Sequence, residues 1–219
     1  MNKEASRRGA PQYTAKALFL TLITMAIIGG CTFLYFIKGL YLLPDKVCDG
    51  AARRDIAIRT LPHARSADQW ADQGDTGGRF SFACRISTSS DSTLSGEVDL
   101  RGASEAAWVD SYGRLAGKRV VRASKGELEA LAQIDGDSRG SASVYVPCIP
   151  ASVKESGAPH TYALVADVSV SGKSRATGAE RRQALTDFAY QLTEHAYKLA
   201  GCKEPRNFPE ELPRYEDGS

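Results

Sequence analysis

The sequence predicts an α+β protein: one N-terminal transmembrane helix, then a mainly antiparallel sheet with about three packed helices and disulfide bonds. Three observations support this fold class. They are an uncharged apolar block near the N-terminus, runs in which apolar and polar residues alternate, and one long apolar stripe with helical spacing. The chain has 219 residues, 25% of them charged, and a formal net charge of +2. This composition is typical of one ordinary globular domain and disfavours a protein that coats phosphate polymers.

The apolar block covers residues 17–37 and contains no charged side chain. A helix of about 20 apolar residues crosses the ~30 Å core of a bilayer and satisfies its own backbone hydrogen bonds there. We therefore expect a cytoplasmic flank at 1–16, a transmembrane anchor at 17–43, an extracytoplasmic α+β domain at 44–202 and an extended C-terminal tail at 203–219. Lysine and arginine are equally frequent on the two sides of the block. The orientation therefore rests on the short N-terminal flank and on the cysteines.

A second interpretation of this block is a lipoprotein signal. A basic flank and an apolar run at 17–28 lead into Ile28-Gly29-Gly30-Cys31, which resembles the cleavage and lipidation site of bacterial lipoproteins. Cys31 is then the lipidated residue. The sequence stays largely apolar to residue 43, whereas a mature lipoprotein usually continues into a polar tether, so we favour the uncleaved anchor. An ordinary cleaved signal peptide is the third alternative.

The chain contains five cysteines. Cys31 lies in the apolar block, and the downstream domain contains the other four: Cys48, Cys84, Cys148 and Cys202. An even number is typical of two disulfides formed in an oxidising compartment, which favours a domain outside the cytoplasm. None has the Cys-x-x-Cys spacing of a zinc site or a redox pair. The alternative is four unpaired buried thiols.

Four cysteines allow three connectivities. Cys84 and Cys148 each lie on the apolar face of a predicted strand, at 79–88 and 141–149. We therefore expect these two to pair, which leaves Cys48 to pair with Cys202.

The first elements of the domain are predicted from caps and breakers. Asp49 can cap a helix that runs to about Thr60, before Pro62. Residues 66–78 are polar and rich in glycine, which predicts a loop. Residues 126–134 fit either a helix or a strand. Alternation predicts strands at 79–88, 93–101, 118–123, 141–148 and 161–171.

Two further helices follow from apolar spacing. Ser104 can cap a helix to about residue 116, in which three large side chains share one face: Trp108, Tyr112 and Leu115. The longest helix, at 178–200, carries one stripe: Leu185, Phe188, Leu192, Ala196 and Leu199. A single stripe is best explained by packing on a sheet, so we expect the helices on one side of it.

Residues 184–202 read ALTDFAYQLTEHAYKLAGC. Together with the anchor and the alanine- and arginine-rich composition, this segment resembles uncharacterised actinobacterial membrane-anchored extracytoplasmic domain proteins. The resemblance covers most of the chain and includes no functional motif. It implies a location in the cell envelope and no activity.

Two glycine-rich segments, 74–78 and 136–140, resemble the Gly-Asp-Ser-Gly-Gly box of trypsin-like proteases. The upstream His63 lacks the surroundings of a catalytic base, and such clusters between strands usually form turns. Residues 135–146 begin like an EF-hand calcium loop, but Arg139 and Val146 stand where oxygen ligands are needed. Both segments are therefore interpreted as turns.

The remaining motifs also have ordinary explanations. Residues 172–174 end like a phosphate-binding loop, but Asp167 occupies the position of its first glycine. Of the histidines His63, His160 and His195, the last lies at the edge of the apolar stripe, where a structural histidine is usual. We predict no catalytic residue, no cofactor site and no metal site.

Arg175, Arg181 and Arg182 lie at the start of the longest helix, where positive charge opposes the helix dipole. They are interpreted as a solvated turn or as a contact with an anionic partner, such as lipid headgroups or cell-wall polymer. Nucleic acid is not expected as a partner, because aromatic residues are not interleaved with a basic stripe.

The expected function is non-catalytic binding of an unknown envelope protein or ligand by a single-pass membrane protein. One alternative is an envelope enzyme in which His160 or His195 lies beside a carboxylate in a pocket. Another is an assembly component that acts through its membrane helix, where Gly29 and Gly30 allow close approach of a second helix.

Overall fold

The computed structural model describes residues 15–37, 39–76, 79–115, 120–125, 128–133, 140–151 and 162–215. The chain divides into two compact units, of which the second begins at Ile37. The first unit contains helix α1 (Ala15–Ile37). Its segment Lys16–Phe33 is long and apolar enough to cross a membrane, and none of that segment is buried.

The second unit opens with a 3-10 turn (Leu40–Leu42). A short ribbon of β1 (Lys46–Val47) and β2 (Ala52–Arg53) follows, and then helix α2 (Arg54–Thr60). The prediction that this helix starts at Asp49 is therefore wrong. Cys48 and Asp49 have φ angles of 53° and 56°. A left-handed backbone cannot continue into a right-handed helix, so the chain turns there instead.

A seven-stranded sheet forms the centre of this unit. Its strands are β3 (Ala67–Thr76), β4 (Arg79–Thr88), β5 (Thr93–Gly102), β6 (Val120–Lys125), β7 (Leu128–Gln133), β8 (Ser141–Pro147) and β9 (Tyr162–Ser171). The spatial order is β3-β4-β5-β9-β8-β7-β6, and every neighbouring pair is antiparallel. The predicted α+β class with a mainly antiparallel sheet is confirmed.

The strands predicted from alternation are all present, and the ambiguous region 126–134 contains β7. The predicted loop at 66–78 is wrong, because β3 occupies most of it. β3 lies at the edge of the sheet and pairs with β4. Its core-facing side chains are small or polar, as at Gln69, Ala71 and Gln73, so its sequence shows no apolar alternation.

Helices cover both faces of the sheet, so the prediction of helices on one side is wrong. Helix α4 (Gly178–Leu199) packs four of the five predicted stripe residues on one face, whereas the fifth, Leu199, is 41% exposed. Helix α3 (Glu105–Leu115) packs Trp108 and Tyr112 on the other face, against Tyr145 and Val165. β8 and the first half of β9 are buried on both faces. A helix therefore packs on each face of this half of the sheet.

The four domain cysteines form two disulfides, Cys48–Cys84 and Cys148–Cys202. The predicted pairing of Cys84 with Cys148 is wrong. Cys84 lies on β4 and Cys148 directly follows β8, and β5 and β9 lie between those two strands. Three strand spacings amount to about 14 Å, whereas a disulfide needs Cα atoms within about 7 Å.

The C-terminal tail lies along α4. The Tyr197 hydroxyl donates to the Glu204 carbonyl at 2.6 Å, and the Tyr190 hydroxyl donates to the Pro209 carbonyl. Leu212 is buried, and the Tyr215 amide donates to the Gln183 side chain. The tail therefore packs along one side of α4.

Candidate functional site

One half of the sheet carries a polar, exposed surface on the side away from α4. Register pairs Trp70 with Arg85, Arg85 with Ser95, and Ser95 with Ser169, which makes one straight row across four strands. The next row consists of Asp72, Ala83, Glu97 and Asp167. We call these eight residues the open face. Side chains on one face of neighbouring strands are direct neighbours, so the rows form one surface.

Trp70 is the large apolar side chain of the open face, and it is 53% exposed. Its indole N–H has no hydrogen-bond partner among the residues that the structure describes. The second tryptophan, Trp108, is 5% exposed and donates its Nε1–H to the Ser143 hydroxyl at 2.9 Å. The contrast matters because a tryptophan that serves packing alone is normally covered and hydrogen-bonded.

Arg85 and Glu97 are exposed side chains in adjacent rows of the open face. Within the described part of the chain, neither has an ion pair or hydrogen bond. The guanidinium offers five N–H donors in a plane, and the carboxylate offers two acceptor oxygens. The open face therefore presents free donors on the strand next to the exposed indole and a free carboxylate two strands away from it.

A hydrogen-bond network holds the inner end of the open face in place. Asp167 accepts from the Ser143 hydroxyl at 2.7 Å and pairs with Arg101 at 2.9 Å. Burial lowers the pKa of Arg101, but hydrogen bonds and charge from Asp99 and Asp167 outweigh it and raise that pKa above its usual value. Because Ser143 also accepts from Trp108, the network joins the open face to α3.

A shallow cavity of about 260 Å³ lies over this surface, lined by open-face side chains together with Arg101. Its lining contains four charged groups that differ in their partners. Arg101 and Asp167 are paired with each other, whereas Arg85 and Glu97 are not. This arrangement can bind a polar ligand without first breaking an internal ion pair.

A second polar region is a groove between α2, α4 and the C-terminal tail, with adjoining cavities of about 320 and 240 Å³. Most of its charges are paired internally, and Lys46 and Glu210 are the exceptions among the described lining residues. Arg59 contacts Asp55 at 3.4 Å and Asp187 at 3.6 Å, and Arg53 contacts Asp55 at 3.0 Å. Burial raises the pKa of Asp187, and this outweighs the opposing hydrogen bond from Gln183. A charged ligand would have to displace these contacts, so the groove is the weaker candidate.

His195 lines the second of these cavities. Its ring packs against Phe82, with centroids 5.0 Å apart, which agrees with a structural histidine. Burial lowers the pKa of His195, and the positive charge of Lys198 adds to that effect. The described residues include no carboxylate that is hydrogen-bonded to its ring.

The other residues singled out in the sequence are dispersed. His63 is exposed, and His160 lies outside the described residues, as do most of 136–140 and the start of 135–146. Residues 74–76 end β3, and 77–78 lie outside the described residues. Among the described residues, no group of three or more histidine, cysteine, aspartate or glutamate side chains could hold a metal ion.

The three arginines near the start of α4 do not form one surface. Arg175 is exposed, Arg181 is half-buried and Arg182 is 7% exposed. Cys31 is a free, exposed thiol within α1.

The sequence did not identify the open face, because 66–78 was interpreted as a loop. The available signal was one tryptophan in an otherwise polar segment, ADQWADQGDT, which is unusual for a solvated loop. The sequence pattern does not mark Arg85 or Glu97 as a binding residue, since single charged residues on half-exposed strands are common.

No protein-family model, curated protein or solved structure matches the chain.

Proposed function

We propose that this protein is a single-pass membrane protein whose disulfide-bonded α+β domain lies outside the cytoplasm and binds an envelope ligand through the open face, without catalysis. The observation that carries the location is the pair of disulfides, Cys48–Cys84 and Cys148–Cys202. Disulfides persist in oxidising compartments and are rare in the cytosol. On this proposal the protein belongs with the actinobacterial anchored envelope proteins that its sequence resembles.

Helix α1 supports the anchoring part of the proposal. It is uncharged from residue 17 to residue 37, and its described side chains are mostly exposed. A helix with apolar side chains on every side is stable in lipid but not in water. A lipoprotein attached at Cys31 is the alternative form of the same location.

The open face supports the binding part. It combines an exposed tryptophan with unpaired polar side chains, and exposed aromatic residues are enriched at binding sites. Most charges of the α4 groove are paired with one another, so binding is assigned to the sheet.

The location is tested by protease treatment of intact spheroplasts that produce the full chain with a C-terminal epitope. We expect the epitope to be digested without permeabilisation, while a cytoplasmic control protein stays intact. Protection of the epitope until the membrane is lysed would contradict the proposed location.

A further inference from the structure

We propose that the open face binds an uncharged saccharide chain that lies across the strands, with one sugar ring stacked on Trp70. This inference rests on the proposed function, which places the face where envelope and extracellular glycans occur. It adds the chemical class of the ligand, which neither the sequence motifs nor the fold class supplies.

The exposed indole selects for a ligand with an apolar, flat side. An aromatic ring has a negative face, which attracts weakly positive C–H groups as well as cations. A pyranose ring presents such C–H groups on one side and hydroxyls around its rim. Trp70 projects from edge strand β3 and is 53% exposed, so a ring can reach it without movement of the sheet.

The side chains beside Trp70 match the rim of a sugar. A hydroxyl both donates and accepts hydrogen bonds, so neighbouring hydroxyls are best bound by a surface that offers both functions. Arg85 and Glu97 supply unpaired donors and acceptors, and Ser95 and Ser169 add hydroxyls. The row from Trp70 to Ser169 covers three strand spacings, about 14 Å, which is longer than one sugar ring.

The charge of this surface favours an uncharged ligand. Arg85 and Arg101 are positive, whereas Asp72, Glu97, Asp99 and Asp167 are negative, so the charges are of mixed sign. A polyanion would meet four carboxylates, and a polycation would meet two guanidiniums. Hydrogen bonds from charged groups to neutral hydroxyls need no net charge on the ligand.

The test uses the full-length protein in phosphatidylcholine nanodiscs, because sugar-headed detergents would compete. The uncharged probes are tetramers of N-acetylglucosamine, of β-1,4-linked glucose and of α-1,4-linked glucose. The charged probes are a glucosamine tetramer and a galacturonate tetramer. Binding is measured by titration calorimetry and by tryptophan emission.

We expect at least one uncharged tetramer to bind, with a blue shift of the emission. The affinity should change by less than about twofold between low and high salt, since screening acts on charges. Trp70→Ala should weaken binding by about tenfold or more, because it removes the apolar contact area. Trp70→Phe should retain part of the affinity but lose the emission shift, as Trp108 is then the only tryptophan.

Two further variants separate hydrogen bonding from charge. Glu97→Gln keeps an acceptor and should change the affinity by less than about threefold, whereas Glu97→Leu should weaken it by about fivefold or more. Leu199→Ala is the matched control, since Leu199 is 41% exposed on α4, which packs on the opposite face of the sheet. It should bind as the wild type does, and circular dichroism should show that every variant is folded.

The proposal is overturned if none of the uncharged tetramers binds, if only the charged tetramers bind, or if folded Trp70→Ala binds as well as the wild type. Trp70-dependent binding of an extended peptide without saccharide binding would also overturn it. Protease accessibility in spheroplasts is measured separately. A domain that is digested from outside but binds no saccharide loses this inference and keeps the proposed location.

Discussion

In the half of the central sheet that contains β3, β4 and β5, the two faces are built from the same strands and have opposite characters. On β5, Leu94, Gly96 and Val98 face α4 and are fully buried, while the alternating Ser95 and Glu97 face solvent. Strand geometry alone produces this difference, because successive side chains point to opposite sides. The covered face therefore determines stability, and the open face is free to determine binding.

The comparison is tested most strongly by removing one aromatic side chain from each face. Phe188 of α4 is fully buried against the covered face, and Trp70 is half-exposed on the other. Phe188→Ala should lower the free energy of unfolding by about 3–5 kcal/mol, because it leaves a cavity. Trp70→Ala should cost less than about 1 kcal/mol. Urea unfolding of the full-length protein measures both, and equal losses would contradict the division between the faces.

A smaller difference in the free energy of unfolding is expected between substitutions at two adjacent residues of β5. A Cβ at Gly96 would lie 2.4 Å from Leu192 Cδ1 and 2.9 Å from Val168 Cγ2. Gly96→Ala should therefore destabilise the protein by about 1–3 kcal/mol through overpacking. Ser95→Ala, the matched change on the open face, should stay within about 0.5 kcal/mol. A tolerated Gly96→Ala would show that α4 packs more loosely than described.

The smallest expected effect is the dependence of the free energy of unfolding on pH. Burial and the charge of Lys198 lower the pKa of His195 below its usual 6.5, so the unfolded chain binds this proton more readily than the folded one. Stability should therefore fall as the pH drops from neutral through about 6.5 and level off below the folded pKa. His195→Gln should reduce this dependence. If the free energy of unfolding depends on pH identically in the wild type and in His195→Gln, the lowered pKa of His195 is contradicted.

The covered face could be predicted from the sequence, and the open face could not. The stripe of α4 and the alternation in β4 and β9 report burial directly, so helix and strands were predicted close to their observed bounds. The Ser104 cap was also correct, since its hydroxyl accepts from the Ala107 amide at 3.3 Å. Polar residues on a half-exposed face follow no such pattern, so Trp70 was assigned to a loop.

The disulfide pairing failed for a related reason. Cys84 and Cys148 do face the same core, as their strand patterns indicate. Their separation depends on the order of strands in the sheet, in which β5 and β9 lie between them. Strand order is a long-range property, and the local pattern of either strand contains no information about it.

The central claim is an anchored domain that forms its disulfides outside the cytoplasm, and the mass of the intact protein tests it most directly. The protein is extracted from native membranes and alkylated without reduction. We expect a full-length mass with one alkylated thiol, at Cys31. A mass that begins at a diacylated Cys31 would replace the transmembrane anchor by a lipid. Five alkylated thiols would contradict the account, because the domain would then lie in a reducing compartment.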